Sequence, residues 1–267
     1  MRGRLRLVLG LDALGRCEAR DQYSTQLLRV LRVVPGSAPG EGIVYLLNPS
    51  GGLAQGDEVD ADIRVTAGAH AVVTAPSATR VYRMESGEAV CRTRLDVEAG
   101  ASLEYLPEPL IPHGGASYTE EVDLRVASGG RALIWSLVGP GRAARGESLA
   151  YRKLALRLRI EEGGRPILLE RAVLEPERGL RSPAAFGTYS HYGLLVAVGG
   201  DSKALEAAWR RTDLEGTRAG VGRLEGSGAL LKVLAGESRQ AQAVLDGARE
   251  AAVPILWGRP ASLIRRC

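Results

Sequence analysis

The stretch Val65-Thr-Ala-Gly-Ala-His-Ala-Val-Val-Thr74 has three gap-free counterparts elsewhere in the 267-residue sequence. Each copy has a β-branched residue, two small or acidic residues, then Gly followed by Ala or Gly, and ends in a run of strand-forming residues. The counterparts are 97–106, 126–135 and 160–169, and successive copies begin 32, 29 and 34 residues apart. The Gly stands where a tight turn requires a positive φ, so each copy is predicted to form strand, turn and strand.

This repetition predicts how the chain is layered. One such unit cannot bury its apolar face alone, whereas stacked units share a core. We therefore expect a mostly β protein with a stacked β-hairpin or β-helix-like layered sheet fold, although hairpins that contain glycine also resemble one another by chance. Further strand-like stretches lie before and between the repeats, at 23–34, 43–47, 89–95, 120–126 and 154–160.

The C-terminal third of the sequence changes to helical patterning. Asp201-Ser202 is a capping pair for a helix that is predicted to run to about Leu214 and to close at Gly216. A second helix is predicted to begin at Ser238, with Pro254 beyond its end. A few C-terminal α-helices are therefore expected after the β-rich part.

The sequence contains no clear linker between these two parts. Leu230–Leu234, between the predicted helices, is itself strand-like. We expect a single domain over residues 1–267, with a β-rich body at about 1–200 and a helix-containing part at about 201–267.

Composition excludes several classes of protein. The formal net charge of +4, from 35 basic and 31 acidic residues, is too small to indicate a nucleic-acid-binding surface. The apolar N-terminal run is interrupted by Arg6 and Asp12, and no other run is long enough to span a membrane. Cys17, Cys91 and Cys267 are too few and too far apart for a disulfide framework. The sequence indicates a cytoplasmic protein with reduced thiols.

Common catalytic and metal-binding motifs are missing from the sequence. It contains no P-loop, no nucleophile elbow, no His-Glu-x-x-His and no Cys-x-x-Cys. His70, His113 and His191 do not have the spacing of helical metal ligands. We therefore expect neither a catalytic residue nor a stable metal site.

Three polar clusters are candidate functional segments. Asn48–Asp57 is rich in glycine, Thr74–Arg83 is rich in hydroxyl groups, and Glu104–His113 contains three prolines that prevent a central strand. Carboxylate and imidazole groups suit transient binding of a borderline divalent cation such as Ni²⁺. The first segment is also typical of an ordinary turn between strands, and the third is also typical of a rigid edge with solvated charges.

Four motifs, three of them in these clusters and the fourth further along the chain, resemble in this order the urease accessory protein family UreD, which is called UreH in some systems. The similarity covers about residues 42–259. The motifs are Asn48-Pro-Ser-Gly-Gly52 with Gly56-Asp57, Ala78-Thr-Arg-Val-Tyr82, Leu106-Pro-Glu-Pro-Leu-Ile-Pro112, and Gly141-Arg142 with Gly146-Glu147.

The resemblance implies a β-helix-like fold and a role in urease maturation without catalysis. It implies a complex with the accessory protein UreF and the GTPase UreG that docks on apo-urease, and homodimerisation through UreF in a larger assembly. It also implies a passage for nickel, with Ni²⁺ bound only transiently and no tightly bound cofactor. The residues expected to line this passage are Asp57, Glu104, Glu108, His113 and Glu170. The residues expected at interfaces are Asn48, Gly51, Gly52, Arg80, Tyr82, Arg142 and Glu147, with the C-terminal helices against UreF.

The sequence departs from the family pattern at three positions. Pro76 stands where a Gln is usual, Ser136 where an acidic residue is usual, and His113 where an aromatic residue is common. These departures change the expected polar lining of the passage at those places.

Two other functions fit the residues alone. In a β-helix-type carbohydrate-active enzyme, Glu104, Glu108 or Asp57 would act as acid and base. Such sites usually offer aromatic platforms for sugars, and only 4% of the residues in this sequence are aromatic. A standalone metal-binding structural protein is the other alternative.

Overall fold

The computed structural model describes residues 1–264, which form eighteen β-strands and two α-helices. The helices are Ser202–Trp209 (α1) and Ser238–Trp257 (α2), and two short 3-10 turns occur at Ala143–Arg145 and Pro176–Arg178. The strands are Arg2–Leu11 (β1), Cys17–Ser24 (β2), Arg29–Val30 (β3), Val34–Pro35 (β4), Glu41–Leu47 (β5), Glu58–Val65 (β6), His70–Thr74 (β7), Thr79–Val81 (β8), Ala89–Val97 (β9), Ser102–Leu106 (β10), Leu110–Pro112 (β11), Ser117–Val126 (β12), Arg131–Val138 (β13), Lys153–Glu162 (β14), Arg165–Leu174 (β15), His191–Val198 (β16), Thr217–Arg223 (β17) and Gly228–Ala235 (β18).

The strands make two sheets, between which the chain alternates. The seven-stranded sheet has the order β15-β14-β12-β9-β6-β1-β2, and the eleven-stranded sheet has the order β17-β18-β16-β13-β10-β7-β5-β3 with β4, β8 and β11 attached. From β5 to β14 the chain crosses repeatedly from one sheet to the other. Consecutive visits to the same sheet pair in parallel, as β6 does with β9 and β9 with β12. The predicted mostly β, β-helix-like layered fold is confirmed.

The repeat glycines lie in turns at one edge of this solenoid. Gly68, Gly100 and Gly129 have φ values of 83°, 72° and 83°. The turns are stacked, because the Gly68 amide donates to the Gly100 carbonyl and the Gly100 amide to the Gly129 carbonyl, both at 3.1 Å. A residue with a Cβ would be strained at such a φ.

Three of the four repeat units are arches between the sheets and not hairpins. In these three, the first strand lies in the seven-stranded sheet and the second in the eleven-stranded sheet. Only the fourth unit, β14 with β15, is an antiparallel hairpin within one sheet. An arch and a hairpin share the same glycine turn and the same alternation, so the sequence pattern alone does not separate them.

The sheets and the helices form three layers, with the eleven-stranded sheet in the middle. All five residues of β7 are buried, because one face of this strand packs on the other sheet and the opposite face packs below the helices. Leu5, Ile63 and Ile134 belong to the core between the sheets. Trp135, on the next residue of β13, belongs to the core below the helices.

Helix α1 ends earlier than the sequence predicts. Asp201 caps its N-terminus as expected and accepts from the Lys203 and Ala204 amides. The helix stops at Trp209, not at Leu214, since the next segment turns into β17. In that turn the Asp213 side chain accepts from the backbone two residues on, a local bond that competes with the helix.

Helix α2 runs through the proline that the sequence placed beyond its end. The helix continues over Pro254 to Trp257, and Gly258 closes it by donating its amide to the Pro254 carbonyl at 2.8 Å. Ala252 and Leu256 are buried below this last turn. That packing offsets the one backbone hydrogen bond that proline removes. Among the described residues, no helix has the length and apolar character needed to cross a membrane.

Candidate functional site

The four polar motifs meet at the edge of the solenoid opposite the glycine turns. They lie in loops 48–57, 75–88, 107–116 and 139–152, each of which returns the chain from the eleven-stranded to the seven-stranded sheet. We call these four loops the motif edge. Neighbouring loops are joined by backbone hydrogen bonds, as from Tyr82 to Leu53, His113 to Val81 and Gly139 to Leu110. Each coil of the solenoid contains about thirty residues, so motifs that are distant in sequence lie next to one another at this edge.

Gly51 and Gly52 are required by the side chain that packs on them. Gly51 has a φ of 75°, and a Cβ on Gly52 would lie 2.7 Å from Tyr82 Cζ and 2.8 Å from the Arg80 carbonyl oxygen. The Asn48 amide group donates to the Gly52 carbonyl at 3.2 Å and so fixes the turn. The first two motifs therefore form one packed unit, with the Arg80 side chain exposed to solvent.

The third and fourth motifs join the same unit. The rings of Tyr82 and His113 lie 5.3 Å apart, and Glu147 accepts from both the Arg142 guanidinium and the Gly114 amide. The Arg142 hydrogen bond lowers the pKa of Glu147 to about 2. Burial, and then the charge of Arg142, lower the pKa of His113. The predicted interface residues thus all lie at the motif edge, as does His113.

Two adjoining cavities lie between the sheets behind the motif edge. The first, of about 60 Å³, reaches β15 and is lined by Glu108, Ser136 and Glu170 among others. The second, of about 140 Å³, reaches β5 and is lined by Asn48, Gly51, Gly52 and Pro76 among others. We call them the β15 cavity and the β5 cavity. Four residues line both cavities and form their shared wall: Thr79, Tyr105, Pro107 and Glu120.

Glu120 is a functional candidate that the sequence reasoning missed. It lies on β12 between Tyr118 and Val122, which both face the core between the sheets. The Tyr118 hydroxyl donates to Glu120 Oε1 at 3.1 Å, and burial raises the pKa of Glu120. Its neighbour in the register is Cys91 on β9, whose pKa burial raises to about 12. The alternation along β12 was the available signal, because a carboxylate at an inward position is rare.

Two of the five predicted lining residues reach the cavities, and three do not. Glu108 and Glu170 line the β15 cavity, where Glu170 also lies 2.7 Å from Lys232 Nζ. Asp57 is buried at the start of β6 and accepts from the N-terminal amine of Met1 at 2.6 Å and from the Ala54 amide at 2.8 Å. Its carboxylate therefore closes a turn and does not face either cavity.

Glu104 lies on the opposite face of the eleven-stranded sheet from the cavities. On β10, Leu103 faces the other sheet, so the side chain of Glu104 faces α2. There it lies with Glu41 of β5 and His70 of β7, and one ligand atom from each of the three lies within 4.8 Å of the others. The sequence reasoning missed this grouping because it examined helical spacings. The residues come from three adjacent parallel strands.

The two carboxylates of this group are charged in a buried place. Burial would raise the pKa of Glu104, but hydrogen bonds and charges of His70 and Arg249 outweigh it, and the net shift is downward. Burial would also raise the pKa of Glu41. Hydrogen bonds from Ser262 and the Ala38 amide, and the charges of Arg259 and His70, outweigh burial, so the net shift is again downward. The arrangement is a compensated ion-pair network that contains three side chains of metal-ligating type.

Comparison with known proteins places the chain in a family. The family model described as UreD urease accessory protein matches residues 1–266. The chain is 37% identical to the urease accessory protein UreD of Delftia acidovorans over 240 residues, which is 82% of this chain and 78% of that protein. It is 34% identical to the UreD of Marinobacter nauticus over 268 residues, at 96% and 89% coverage, and 34% identical to the UreD of Opitutus terrae over 197 residues, at 72% of each chain. The protein belongs to the UreD family of urease accessory proteins.

Proposed function

We propose that this chain is a non-catalytic maturation factor that acts with UreF and UreG to deliver nickel to apo-urease. In this proposal the β5 and β15 cavities form part of the nickel passage. The observation that carries it is the pair of cavities with a common wall, which together extend from loop 48–57 to β15 between the two sheets. A cytoplasmic location is part of the same proposal.

The chemistry of the cavity lining suits the passage of a cation. Glu108, Glu120 and Glu170 are three carboxylates in a lining that is otherwise largely apolar and that also includes Arg157. Glu120 lies in the shared wall, and the other two carboxylates line the β15 cavity only. A conduit must bind its ion weakly enough to release it, and oxygen ligands with retained water meet this condition better than a closed set of thiolates. Volumes of about 60 and 140 Å³ accommodate a few water molecules or a partly hydrated ion.

The surfaces proposed for partners are the motif edge and the outer faces of the two helices. The motif edge holds the mouth of the β5 cavity and carries exposed Arg80, and we assign it to contact with the nickel-delivery partners or urease. The outer faces of α1 and α2 are proposed to contact UreF. Dimerisation through UreF is part of the same proposal.

The cavities do not favour a carbohydrate-active enzyme. Pockets for small organic ligands usually have volumes of about 300–1,000 Å³. Both cavities between the sheets are smaller than this. Asp57, one of the carboxylates considered for acid-base catalysis, is held by the N-terminal amine, and Glu104 lies on another face of the sheet.

A matched pair of variants on one strand tests the passage. Glu120→Gln removes the charge from the shared wall, whereas Glu121→Gln removes a charge from the next residue, which faces solvent beside Arg92 and Arg157. Each variant is co-expressed with UreF, UreG and apo-urease, and the nickel content and activity of the urease are measured.

We expect Glu120→Gln to lower nickel loading about tenfold, because substitution of a group that supports a metal site typically costs about 10–100-fold in metal affinity or activity. Complex assembly, measured by size-exclusion chromatography with light scattering, should be unchanged, and Glu121→Gln should load nickel like the unmodified protein. Normal loading by Glu120→Gln would rule out the shared wall as part of the route. Failure of the unmodified chain to assemble with UreF and UreG would overturn the delivery role itself.

A further inference from the structure

The Glu41, His70 and Glu104 group lies apart from the proposed passage. It is enclosed between the eleven-stranded sheet, α2 and the segment that follows α2. All three residues are buried, with Glu104 fully so. The eleven-stranded sheet separates the group from both cavities, whose lining does not include any of the three.

Glu104 and His70 contact each other directly, and both oxygens of Glu104 are held in defined directions. One oxygen of Glu104, Oε2, accepts from Arg249 Nε at 2.6 Å, and the other, Oε1, lies 3.1 Å from His70 Nε2. Arg249 is itself buried, and its second contact is to the Ser262 carbonyl at 3.0 Å. Donors behind a carboxylate that fix its direction are typical of metal sites, where they orient the ligands.

Glu41 is held in the same manner from its outer side. Its Oε2 accepts from the Ser262 hydroxyl at 2.6 Å, the Ser37 amide at 2.9 Å and the Ala38 amide at 3.1 Å. Its Oε1 is left facing the group. Each of the two carboxylates therefore has one oxygen held by surrounding donors and one oxygen turned towards His70 and its neighbours.

A cation already lies between Glu41 and His70, and it belongs to the chain. One nitrogen of the Arg259 guanidinium lies 2.9 Å from Glu41 Oε1 and 3.0 Å from His70 Nδ1. Arg259 stands on the short segment after α2, which ends at Trp257. Its positive charge and that of Arg249 balance the two carboxylates, so removing Arg259 leaves one negative charge uncompensated in a buried site.

We propose that Glu41, His70 and Glu104 form a binding site for a divalent transition-metal ion, and that the Arg259 guanidinium occupies this site until the ion displaces it. Two carboxylate oxygens and one imidazole nitrogen suit Zn²⁺ or Ni²⁺. The ion would take the place of the guanidinium, while Arg249 and Ser262 would keep their contacts with the outer carboxylate oxygens. Metal binding would thus compete directly with the attachment of the segment after α2.

Arg259→Gln is the variant that tests whether Arg259 competes with the metal ion. The probe is NiCl₂, and the sample is the purified full chain. Glutamine keeps polar contact but removes the charge. We expect calorimetric titration to give an affinity for Ni²⁺ about tenfold or more above that of the unmodified chain, because an ionic hydrogen bond of about 1.5–3 kcal/mol no longer competes. Arg259→Lys retains a cation and should bind as weakly as the unmodified chain.

Trp257 provides a second readout that reports the position of the ion. Its ring lies 4.6 Å from that of His70, so bound Ni²⁺ should quench its fluorescence. Arg259→Gln with Trp257→Phe identifies the part of the signal that comes from this tryptophan. Adding His70→Gln to Arg259→Gln should abolish the gain in affinity, whereas adding His191→Gln, at the start of β16, should leave it unchanged.

Two results would overturn the proposal. One is an Arg259→Gln chain that binds Ni²⁺ no more tightly than the unmodified chain while its thermal unfolding shows it to be folded. The other is a gain in affinity that survives His70→Gln. Should Arg259→Gln prove unfolded, Glu41→Gln and His70→Gln in the unmodified background decide the matter, since both must weaken whatever Ni²⁺ binding that chain shows.

Discussion

At the scale of single residues, Gly52 shows how the motif edge depends on one missing methyl group. Its hydrogen faces the ring of Tyr82, and a Cβ there would also lie 2.8 Å from the Arg80 carbonyl oxygen. The ring has some freedom to shift, but the carbonyl belongs to β8, which is paired with β11. The first two family motifs are therefore coupled by steric contact, in addition to their nearness at one edge.

Gly52→Ala should lower the free energy of unfolding by about 1–3 kcal/mol, the usual range for an added methylene in a tightly packed place. Urea unfolding followed by circular dichroism measures the change. Gly220→Ala is the matched control, because Gly220 has open space around its Cβ position and should be near neutral. An equal effect of the two substitutions would contradict the packing argument.

At the scale of elements, Glu147 joins two return loops of the motif edge. Its carboxylate, in loop 139–152, accepts from Arg142 in the same loop and from the Gly114 amide in loop 107–116. The hydrogen bond of Arg142 holds the pKa of Glu147 at about 2, below the ordinary value of 4.5. A carboxylate whose pKa is lower in the folded state stabilises that state above the unfolded pKa, and this contribution is lost as the pH falls through the folded pKa.

Glu147→Gln should therefore lower the thermal unfolding midpoint at pH 7. The difference from the unmodified chain should shrink as the pH falls from about 4.5 towards 2, where the native carboxylate becomes protonated. Differential scanning calorimetry at a series of pH values follows the difference. A difference in unfolding midpoint that stays constant down to pH 2 would mean that the charge of Glu147 does not join the loops.

The elements also separate what the sequence can predict from what it cannot. Alternation and the glycine repeat predict strands and turns, because these depend on neighbouring residues. They do not identify the strand that pairs with each strand, so the arches between sheets were not distinguished from hairpins. Helix α2 passes through Pro254 because tertiary burial outweighs a local preference.

The candidate site follows the same division. Motif order predicted the family, whereas the motif edge became visible only in the structure, where coils of similar length stack their return loops. The cavity lining depends on which face of a strand each residue occupies. Glu104 therefore lies under α2 and not in the passage, and Glu120, which was overlooked, lies in the shared wall.

At the scale of the whole molecule, the solvent face of the seven-stranded sheet carries columns of charged side chains. Each column has one sign, and the sign alternates from one column to the next. Each column follows one strand, and each strand is paired in parallel with a strand of opposite sign. The columns are Arg4 and Arg6 on β1, Asp60 and Asp62 on β6, Arg92 and Arg94 on β9, Glu121 and Asp123 on β12, and Arg157 and Arg159 on β14. Because neighbouring columns carry opposite charges in this strand order, the charges support the stacking of the coils.

Reversal of one charge in the central column tests this cooperation. Arg92 lies 3.8 Å from Glu58, 3.8 Å from Asp60 and 3.6 Å from Glu121. Arg92→Glu places a fourth carboxylate among them and should lower the free energy of unfolding by about 1–2 kcal/mol at low salt, since opposed like charges on adjacent strands destabilise a sheet. Arg92→Gln only removes attraction at a half-exposed position and should cost less than about 1 kcal/mol. The difference in the free energy of unfolding between the two variants should narrow in about 1 M NaCl, where the screening length is about 3 Å. Urea unfolding at both salt concentrations measures it. Equal stability of the two variants at low salt would show that the columns are juxtaposed without acting together, and the stacking order would then rest on the buried core alone.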